Sequence, residues 1–374
     1  MSPRPANPRL RRALPIVVAL AIGVAAGAGA FALSNHKSST PSAATTVVVP
    51  AQRASSTSTV NSLAALYKKD APGVVDITVK LSSSGSSSQT FPFGNPGGSQ
   101  KQEAEGTGFV IDNKGNIMTA DHVVDGATAI TVTFQDGSTA KATLVGGDKS
   151  TDTAVIHADV PASKLHPLTL GNSSATEPGQ TVVAIGSPFG LQETMTAGIV
   201  SATNRTITAL NGFSITGAIQ TDAAINHGNS GGPLIDTATN TVIGVNDQIL
   251  NAGDTNDNAG VGFAVPIDKA KSVAQTLIAG GKVEHAYVGV LIRSVPGGAK
   301  VSKVVAGSPA EKSGLKVGDV VTSFDGQTIT SASDLTAAVS AAKVGDTVSV
   351  TVQRGGSTEQ LSLTLGTQPA SATP

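Results

Sequence analysis

Three residue types that together perform nucleophilic catalysis occur in short, distinctive segments. His122 lies in IMTADHVV, Asp152 in STDTAVI, and Ser230 in GNSGGP. A serine hydroxyl is a weak nucleophile that needs an adjacent base, and a neutral imidazole can take its proton near pH 7. A carboxylate on the other ring nitrogen fixes the tautomer and stabilises the imidazolium ion. The segments predict acyl-transfer chemistry, with Ser230 as nucleophile, His122 as general base and Asp152 as the orienting carboxylate.

The choice of carboxylate has alternatives along the same stretch of chain. Asp148 and Asp159 lie close to Asp152 in sequence, and Asp152 could merely cap a strand. Asp121, directly before His122, is expected to be a surface residue. His227 is expected to be a solvated loop residue, although a role at the cleft is possible.

The elements that must position these residues are short strands. From residue 106 onward, apolar strand patterns recur every 8–12 residues, a spacing that favours a barrel or sandwich over βαβ units. Asp136-Gly137 between two of them predicts a hairpin turn. A helix is expected after Pro266, capped by Asp268 and stopped by Gly280-Gly281. The expected strands include GFVID (108–112), AITVTFQ (129–135), TAKATLVG (139–146), TAVIHA (153–158), TVVAIG (181–186), TMTAGIVSATN (194–204) and TVIGVN (241–246).

On these segments the chain resembles the HtrA (DegP/DegS-like) family of trypsin-fold serine proteases with PDZ domains, over about residues 60–367. The matching segments are GTGFVID (106–112), IMTADHVV (117–124), STDTAVI (150–156), VAIGSPFG (183–190), TAGIVSA (196–202), IQTDAAINHGNSGGPL (219–234) and GVGFAVP (260–266). The resemblance implies a mostly β fold, a chymotrypsin/trypsin-like double β-barrel followed by one PDZ domain. It assigns the oxyanion hole to the backbone N–H groups of Gly228 and Ser230.

The resemblance also implies a specificity pocket near Ile225 and Leu250. No acidic residue lies in the strip just before Gly228, so a preference for Arg or Lys is not expected. Small aliphatic residues before the scissile bond are expected instead. A homotrimer, or a multiple of it, is expected because the family usually assembles through its protease domains.

The C-terminal segment at 286–367 is expected to be the PDZ domain. GSPAEKSGLKVGDVV, starting at Gly307, matches the family's helix, turn and strand pattern. Tyr287, Val288, Gly289 and Val290 resemble the carboxylate-binding loop, in which glycine lets backbone N–H groups converge on a peptide C-terminus. The peptide would then add as a strand to the sheet edge. The alternative interpretation is an ordinary strand.

The N-terminal residues predict membrane attachment. Residues 1–12 carry four arginines, and residues 13–33 carry no charge, which is long enough for a transmembrane helix. The positive-inside rule places the N-terminus in the cytoplasm. The protein is therefore expected in the cell membrane of a bacterium, single-pass, with an extracytoplasmic catalytic domain at 61–282 joined by a Ser/Thr/Ala-rich linker at 34–60. Ala28-Gly29-Ala30 keeps open a cleaved signal peptide and a secreted protein.

Composition excludes several other classes of function. The chain of 374 residues has no cysteine, which rules out thiolate metal sites, disulfides and a cysteine nucleophile. A net charge of −1 argues against a nucleic-acid partner. Residues 254–260 resemble a calcium loop, but Ala259 and Val265 replace its glycine and glutamate. No cofactor or metal is expected.

The resulting expectation is an ATP-independent serine endopeptidase of extracytoplasmic protein quality control. It would hydrolyse unfolded or misfolded proteins through an acyl-enzyme, while the PDZ domain binds substrate or regulatory C-termini. Two alternatives remain: a chaperone or PDZ scaffold without protease activity, and a regulatory protease dedicated to one membrane-protein substrate.

Overall fold

The computed structural model describes residues 62–81, 103–186, 194–209, 211–226, 228–251 and 258–370, without the side chains of 248–251 and 258–259. The expected membrane span at 13–33, the linker at 34–60, His227 and most of the calcium-like segment lie outside the described residues. Among the described helices, none has the length and apolar character needed to cross a membrane.

The first six strands form a closed antiparallel barrel in the order β1-β2-β3-β6-β5-β4. A helix, α1, precedes it at Leu63–Asp70, where the Ser62 side chain accepts a hydrogen bond from the N–H of Ala65. The elements of this barrel are β1 Val74–Leu81, β2 Glu103–Val110, β3 Asn116–Thr119, α2 Asp121–Val124, β4 Ala127–Thr133, β5 Thr139–Asp148 and β6 Thr153–Ala158. The expected hairpin turn joins β4 to β5, with Gly137 at φ 76°.

The next six strands close a second antiparallel barrel in the order β10-β11-β12-β9-β8-β7. They are β7 Thr181–Gly186, β8 Thr194–Thr208, β9 Ser214–Thr221, β10 Pro233–Asp236, β11 Thr241–Asn251 and β12 Asn258–Pro266. Short 3₁₀ turns lie at Ala71–Gly73, Ala162–Lys164 and Ser173–Ala175. One apolar cluster spans both barrels, including Phe109 and Met118 from the first and Ile185 and Val245 from the second. The barrels are therefore held together beside the loops that carry His122 and Ser230.

A helix, α3 at Ile267–Ile278, follows the second barrel as expected. Its apolar face is buried, and Gly280 and Gly281 donate backbone hydrogen bonds to its last turn. The prediction that Asp268 caps this helix is wrong. The Asp268 carboxylate instead accepts hydrogen bonds from Ser173 and Ser174, which ties the helix to the neighbouring 3₁₀ turn.

The C-terminal module has its own sheet and core. Five strands are ordered β14-β15-β16-β18-β19, β17 pairs with β16, and β13 pairs with β20. Its apolar cluster includes Val301, Phe324 and Val350. The elements are β13 Ala286–Tyr287, β14 Val290–Val295, β15 Gly298–Val304, α4 Pro309–Lys312, β16 Val320–Phe324, β17 Gln327–Thr328, α5 Ala332–Ala341, β18 Thr347–Arg354, β19 Ser357–Thr364 and β20 Gly366–Thr367.

Candidate active site

The structure brings His122 and Asp152 into direct contact. His122 lies on α2, just after β3, and Asp152 lies in the turn between β5 and β6. The His122 backbone N–H donates to Asp152 Oδ1 at 2.9 Å, and His122 Nδ1 lies 2.5 Å from Asp152 Oδ2. A helical turn and a loop aim the two side chains at each other.

Asp152 adopts a backbone conformation that few residues accept. Its φ is 48°, in the left-handed region where aspartate and asparagine are several-fold enriched among non-glycine residues. The side chain is 1% exposed. The two alternative carboxylates lie elsewhere, because Asp148 pairs with His285 and Asp159 is exposed after β6. Of the three candidates, only Asp152 contacts His122.

The expectation that Asp121 is a surface residue is wrong. Its side chain is 5% exposed, and a Cβ on Gly147 would lie 1.9 Å from its Oδ1. Burial, followed by the charges of Asp152 and Asp125, raises the pKa of Asp121 to about 7. Asp121, the residue directly before His122, is therefore a buried acidic group near the site.

Ser230 lies in a tight turn that is held by β2 and β11. Gly228 and Gly231 have φ values of 100° and 85°, which only glycine adopts without strain. The Thr107 hydroxyl donates to the Gly228 carbonyl at 2.5 Å, and the Thr107 N–H donates to the Ser230 carbonyl at 2.9 Å. On the opposite side, Gly231 donates to the carbonyl of Asn246. The turn is thus fixed on both sides.

The backbone donors around Ser230 fit the expected oxyanion hole. The N–H of Asn229 donates to the Asn226 carbonyl. The N–H groups of Gly228 and Ser230 have no acceptor among the described residues. Backbone N–H groups of this kind beside a serine hydroxyl can stabilise a developing oxyanion.

The electrostatics of the pair favour a charged imidazole. Burial alone raises the pKa of Asp152, but the charge and hydrogen bond of His122 outweigh it and lower the pKa below the usual aspartate value. Burial alone lowers the pKa of His122, but the charge and hydrogen bond of Asp152 raise it, with smaller contributions from Asp247 and Asp121, to about 9. An imidazolium ion formed during reaction would therefore be well stabilised.

Sequence reasoning missed Asp247, which is in contact with this pair. It lies in β11, is 1% exposed, and has Oδ1 4.0 Å from His122 Nδ1. Its backbone carbonyl accepts the Ser230 hydroxyl at 2.8 Å. The one available signal was an acidic residue inside an otherwise apolar strand pattern, VIGVNDQIL. His122, Asp152 and Asp247 form a group whose ligand-type atoms lie within 4.8 Å of one another, so it could in principle hold a metal ion.

Of the two expected specificity-pocket residues, only Ile225 has a described side chain. Ile225 is 1% exposed and belongs to a core cluster with Val200 and Ile219. It also packs against Gly262, where a Cβ would lie 2.6 Å from Ile225 Cγ1. Ile225 could therefore form only the floor of a pocket. Leu250 lies in β11, and its side chain is outside the described residues.

The expected carboxylate-binding loop connects β13 to β14. Gly289 has φ 86°, and a Cβ there would lie 2.2 Å from Ser308 Cβ, so only glycine fits. The Val288 and Gly289 carbonyls accept from Ala310 and Val305. These hydrogen bonds tie the loop to the segment around α4.

A cavity of about 320 Å³ lies between this loop and the double-barrel part. Residues 287–292 and Val339 line it from the C-terminal module, and Ser150 and Thr151 line it from the β5–β6 turn. The two parts also meet directly, since His285 Nε2 lies 2.9 Å from both carboxylate oxygens of Asp148. The cavity wall thus includes the residues that directly precede Asp152.

Two family descriptions match the chain. A trypsin-like peptidase domain matches residues 106–245, and a PDZ domain matches residues 286–365. The two matches follow the division between the double-barrel part and the C-terminal module.

Curated relatives and solved structures agree with these matches. A probable periplasmic serine endoprotease, DegP-like, of Halomonas elongata is 42% identical over 293 residues, covering 75% of this chain and 60% of that protein. Serine protease PepD of Mycobacterium tuberculosis is 42% identical, covering 71% of this chain and 61% of that protein. The chain thus spans about 60% of the length of these relatives. The solved HtrA-type protease AlgW with a tripeptide is 32% identical with a TM-score of 0.68, covering 82% of this chain and 98% of that one.

Proposed function

Because this chain belongs to the HtrA family of trypsin-like serine proteases with a C-terminal PDZ domain, we propose that it is a serine endopeptidase acting through His122, Asp152 and Ser230. The observation that carries the proposal is the contact of His122 with Asp152 at 2.5 Å, beside a glycine turn that presents Ser230. The three residues come from a short helix, the β5–β6 turn and the turn before β10.

The proposed reaction begins with rotation of the Ser230 hydroxyl. It now donates to the Asp247 carbonyl and must turn its proton toward His122 Nε2 before attack. Ser230 Oγ then bonds to the substrate carbonyl carbon, and His122 takes the proton and later gives it to the leaving amine. The Gly228 and Ser230 N–H groups stabilise the oxyanion. The peptide C–N bond breaks as the amine leaves. His122 then takes a proton from water as the water oxygen bonds to the acyl carbon, and it returns that proton to Ser230 Oγ as the acyl–Oγ bond breaks.

We propose unfolded or misfolded proteins as substrates. No Walker motif occurs in the sequence, so the chain encodes no ATP-driven unfolding of its own. Folded substrates would have to open before an extended segment reached Ser230. A small aliphatic residue before the scissile bond remains our expectation, with Ile225 and Leu250 as proposed pocket residues.

The PDZ domain is proposed to bind peptide C-termini at the loop of Tyr287, Val288, Gly289 and Val290. A cavity lined by this loop and by β14 supports the proposal. A peptide could add to β14 as a strand while backbone N–H groups hold its carboxylate. Location outside the cytoplasm, attachment by residues 13–33 and a trimeric assembly also remain proposals.

The decisive test replaces the nucleophile. Ser230→Ala should reduce casein hydrolysis by more than a thousandfold, because removal of a triad member leaves only binding and oxyanion stabilisation. Ser272→Ala, at an exposed serine on α3, is the matched control and should keep full activity. Unchanged hydrolysis by the Ser230 variant would refute the proposed nucleophile. If neither the wild type nor the variants cleaved casein while all of them suppressed its aggregation, the chaperone or scaffold alternative would be favoured.

A trap experiment addresses the remaining alternative. Inactive Ser230→Ala protein retains substrates that the active enzyme destroys. Many unrelated captured proteins would support general quality control, and a single membrane protein would support a dedicated regulatory protease.

A further inference from the structure

The position of Asp247 is set by an irregularity in β11. The register of β11 with β12 shifts between Asn246 and Gln248, which pair with Ala264 and Phe263. Asp247 is therefore the extra residue of a β-bulge, a feature that re-aims a side chain and is over-represented beside active sites. The bulge brings Asp247 close to all three proposed triad residues: its carbonyl accepts from Ser230, and its carboxyl group lies within 4.8 Å of the His122 ring nitrogen and the Asp152 carboxylate.

The carboxyl group of Asp247 is buried without a donor. No N–H or O–H group of the described residues donates to either of its oxygens. An ionised carboxylate in such a place would lack both water and hydrogen bonds, which is costly. Asp152, by contrast, accepts two hydrogen bonds from His122. Two neighbouring carboxyl groups cannot both ionise readily, and the proton belongs on the group with no other donor.

We propose that Asp247 is a positioning residue that acts as a neutral carboxylic acid, whose O–H donates to Asp152 and holds that carboxylate against the His122 ring. This inference rests on the proposed triad. Asp152 then receives donors from both sides, and its orientation does not depend on His122 alone.

The titration behaviour of the groups agrees with this arrangement. Burial, followed by the charge of Asp152, raises the pKa of Asp247 well above the usual aspartate value. The hydrogen bond with Asp247 is among the effects that lower the pKa of Asp152. The groups that face Asp247 are Asp152 and His122, and Asp121 lies behind them.

Protonation of Asp247 also affects the pKa of His122, the proposed general base. An ionised Asp247 would add a second negative charge beside His122 and keep the imidazole protonated, so that it could not accept the Ser230 proton. A neutral Asp247 contributes no such charge. His122 then loses its proton at a lower pH than the value of about 9 that includes the Asp247 charge.

A metal ion fits this group less well than a proton. Zinc ligands at 2.0–2.1 Å in tetrahedral geometry lie about 3.3 Å apart, whereas His122 Nδ1 and Asp152 Oδ2 are 2.5 Å apart. Binding of a metal would require this pair to separate. The observed spacing is that of a hydrogen bond.

The first test detects the proton on the Asp247 carboxyl group and does not depend on activity. Infrared difference spectra compare the Ser230→Ala protein with the double variant that also carries Asp247→Asn, at neutral pH. We expect the carbonyl stretch of a protonated carboxylic acid in the first protein and its loss in the second. Absence of that band would overturn the proposal, whether or not Ser230 proves to be the nucleophile.

The second test uses kinetics of otherwise wild-type variants. Asp247→Asn keeps a neutral donor and should lose less than about fivefold in kcat, whereas Asp247→Ala should lose about 10- to 100-fold with little change in KM. The acidic limb of kcat/KM should stay in place in the Asn variant. If the midpoint of the acidic limb fell by about one pH unit or more in the Asn variant, Asp247 would be ionised in the wild type. If the Asn and Ala variants were equally active, the proposed hydrogen bond from Asp247 to Asp152 would not contribute to catalysis. If the Ala variant fails to fold, the Asn pH profile and the infrared band decide.

Discussion

At the scale of single residues, the site depends on how charge is distributed around one imidazole. The Asp152 carboxylate accepts from both the backbone and the ring of His122, and the left-handed backbone of Asp152 presents both of its oxygens. The ring is only 11% exposed, so water does little to screen the pair. The protonation state of His122 is therefore governed by its acidic neighbours.

This arrangement predicts a shifted pH dependence. Because a general base must be neutral, kcat/KM should rise with pH through the pKa of His122. The usual pKa of histidine is about 6.5, and the acidic neighbours in this structure raise the pKa of His122 toward about 9. The acidic limb, measured on a fluorogenic peptide, should thus lie above pH 6.5. Asp136→Asn, at an exposed hairpin carboxylate, should leave it unchanged, and a limb at or below 6.5 in the wild type would contradict the prediction.

Sequence and structure differ most at the buried acids. The contact between His122 and Asp152 could be predicted because the residue types and flanking motifs are specific. The burial of Asp121 and Asp247 could not be, because it depends on long-range packing. Asp121 is covered by Gly147 of a different strand, and Asp247 is turned by a bulge that local alternation of residues does not reveal.

At the scale of elements, strand β2 supports the turn that carries Ser230. Thr107 contacts two residues of the turn, and its carbonyl accepts from the Thr119 hydroxyl of β3. Gly231 packs so closely that a Cβ would lie 2.2 Å from the Thr107 carbonyl oxygen. Contacts with the wall of the first barrel therefore fix the conformation of this turn. The strand itself was expected from GFVID, but its contact with the turn is long-range and was not.

Removal of the Thr107 hydroxyl should disturb catalysis more than folding. Thr107→Val keeps the shape but leaves the buried Gly228 carbonyl without this donor, at a cost of about 1–3 kcal/mol in unfolding free energy. We expect kcat to fall about tenfold because Gly228 carries a proposed oxyanion donor. Thr107→Ser retains the hydroxyl and is the control. Thermal unfolding and steady-state kinetics measure both effects, and a Val variant with wild-type kcat would show that the turn does not need this bond.

At the scale of the whole molecule, the cavity beside the PDZ loop and the proposed catalytic centre share a segment of chain. Ser150 and Thr151 line the cavity, and the next residue is Asp152. Further contacts join the two parts, namely His285 with Asp148 and Gln368 with Ser150. The sequence predicts each part separately. The contacts between the two parts could not be predicted, because they depend on how the surfaces of two folded domains meet.

This shared segment predicts that occupation of the cavity changes catalysis. A peptide with a free C-terminal carboxylate should bind, as measured by fluorescence anisotropy, and should raise kcat/KM by severalfold, whereas the amidated peptide should do neither. His285→Ala should reduce the rise, because it removes a contact between the two parts. His166→Ala, at an exposed histidine, is the matched control. Rates that do not respond to a bound peptide would contradict the predicted coupling.

Closure of both barrels has a consequence for the proposed work on unfolded chains. Unfolded polypeptides can pair with the unpaired edge of a sheet, so exposed edge strands are templates for aggregation. Each barrel in the described residues is a closed ring of six strands and offers no such template. The C-terminal sheet keeps two outer strands, β14 and β19, and β14 borders the peptide cavity. If the substrates are unfolded proteins as proposed, pairing with an exposed strand edge is confined, among the described sheets, to the module proposed to recognise peptides.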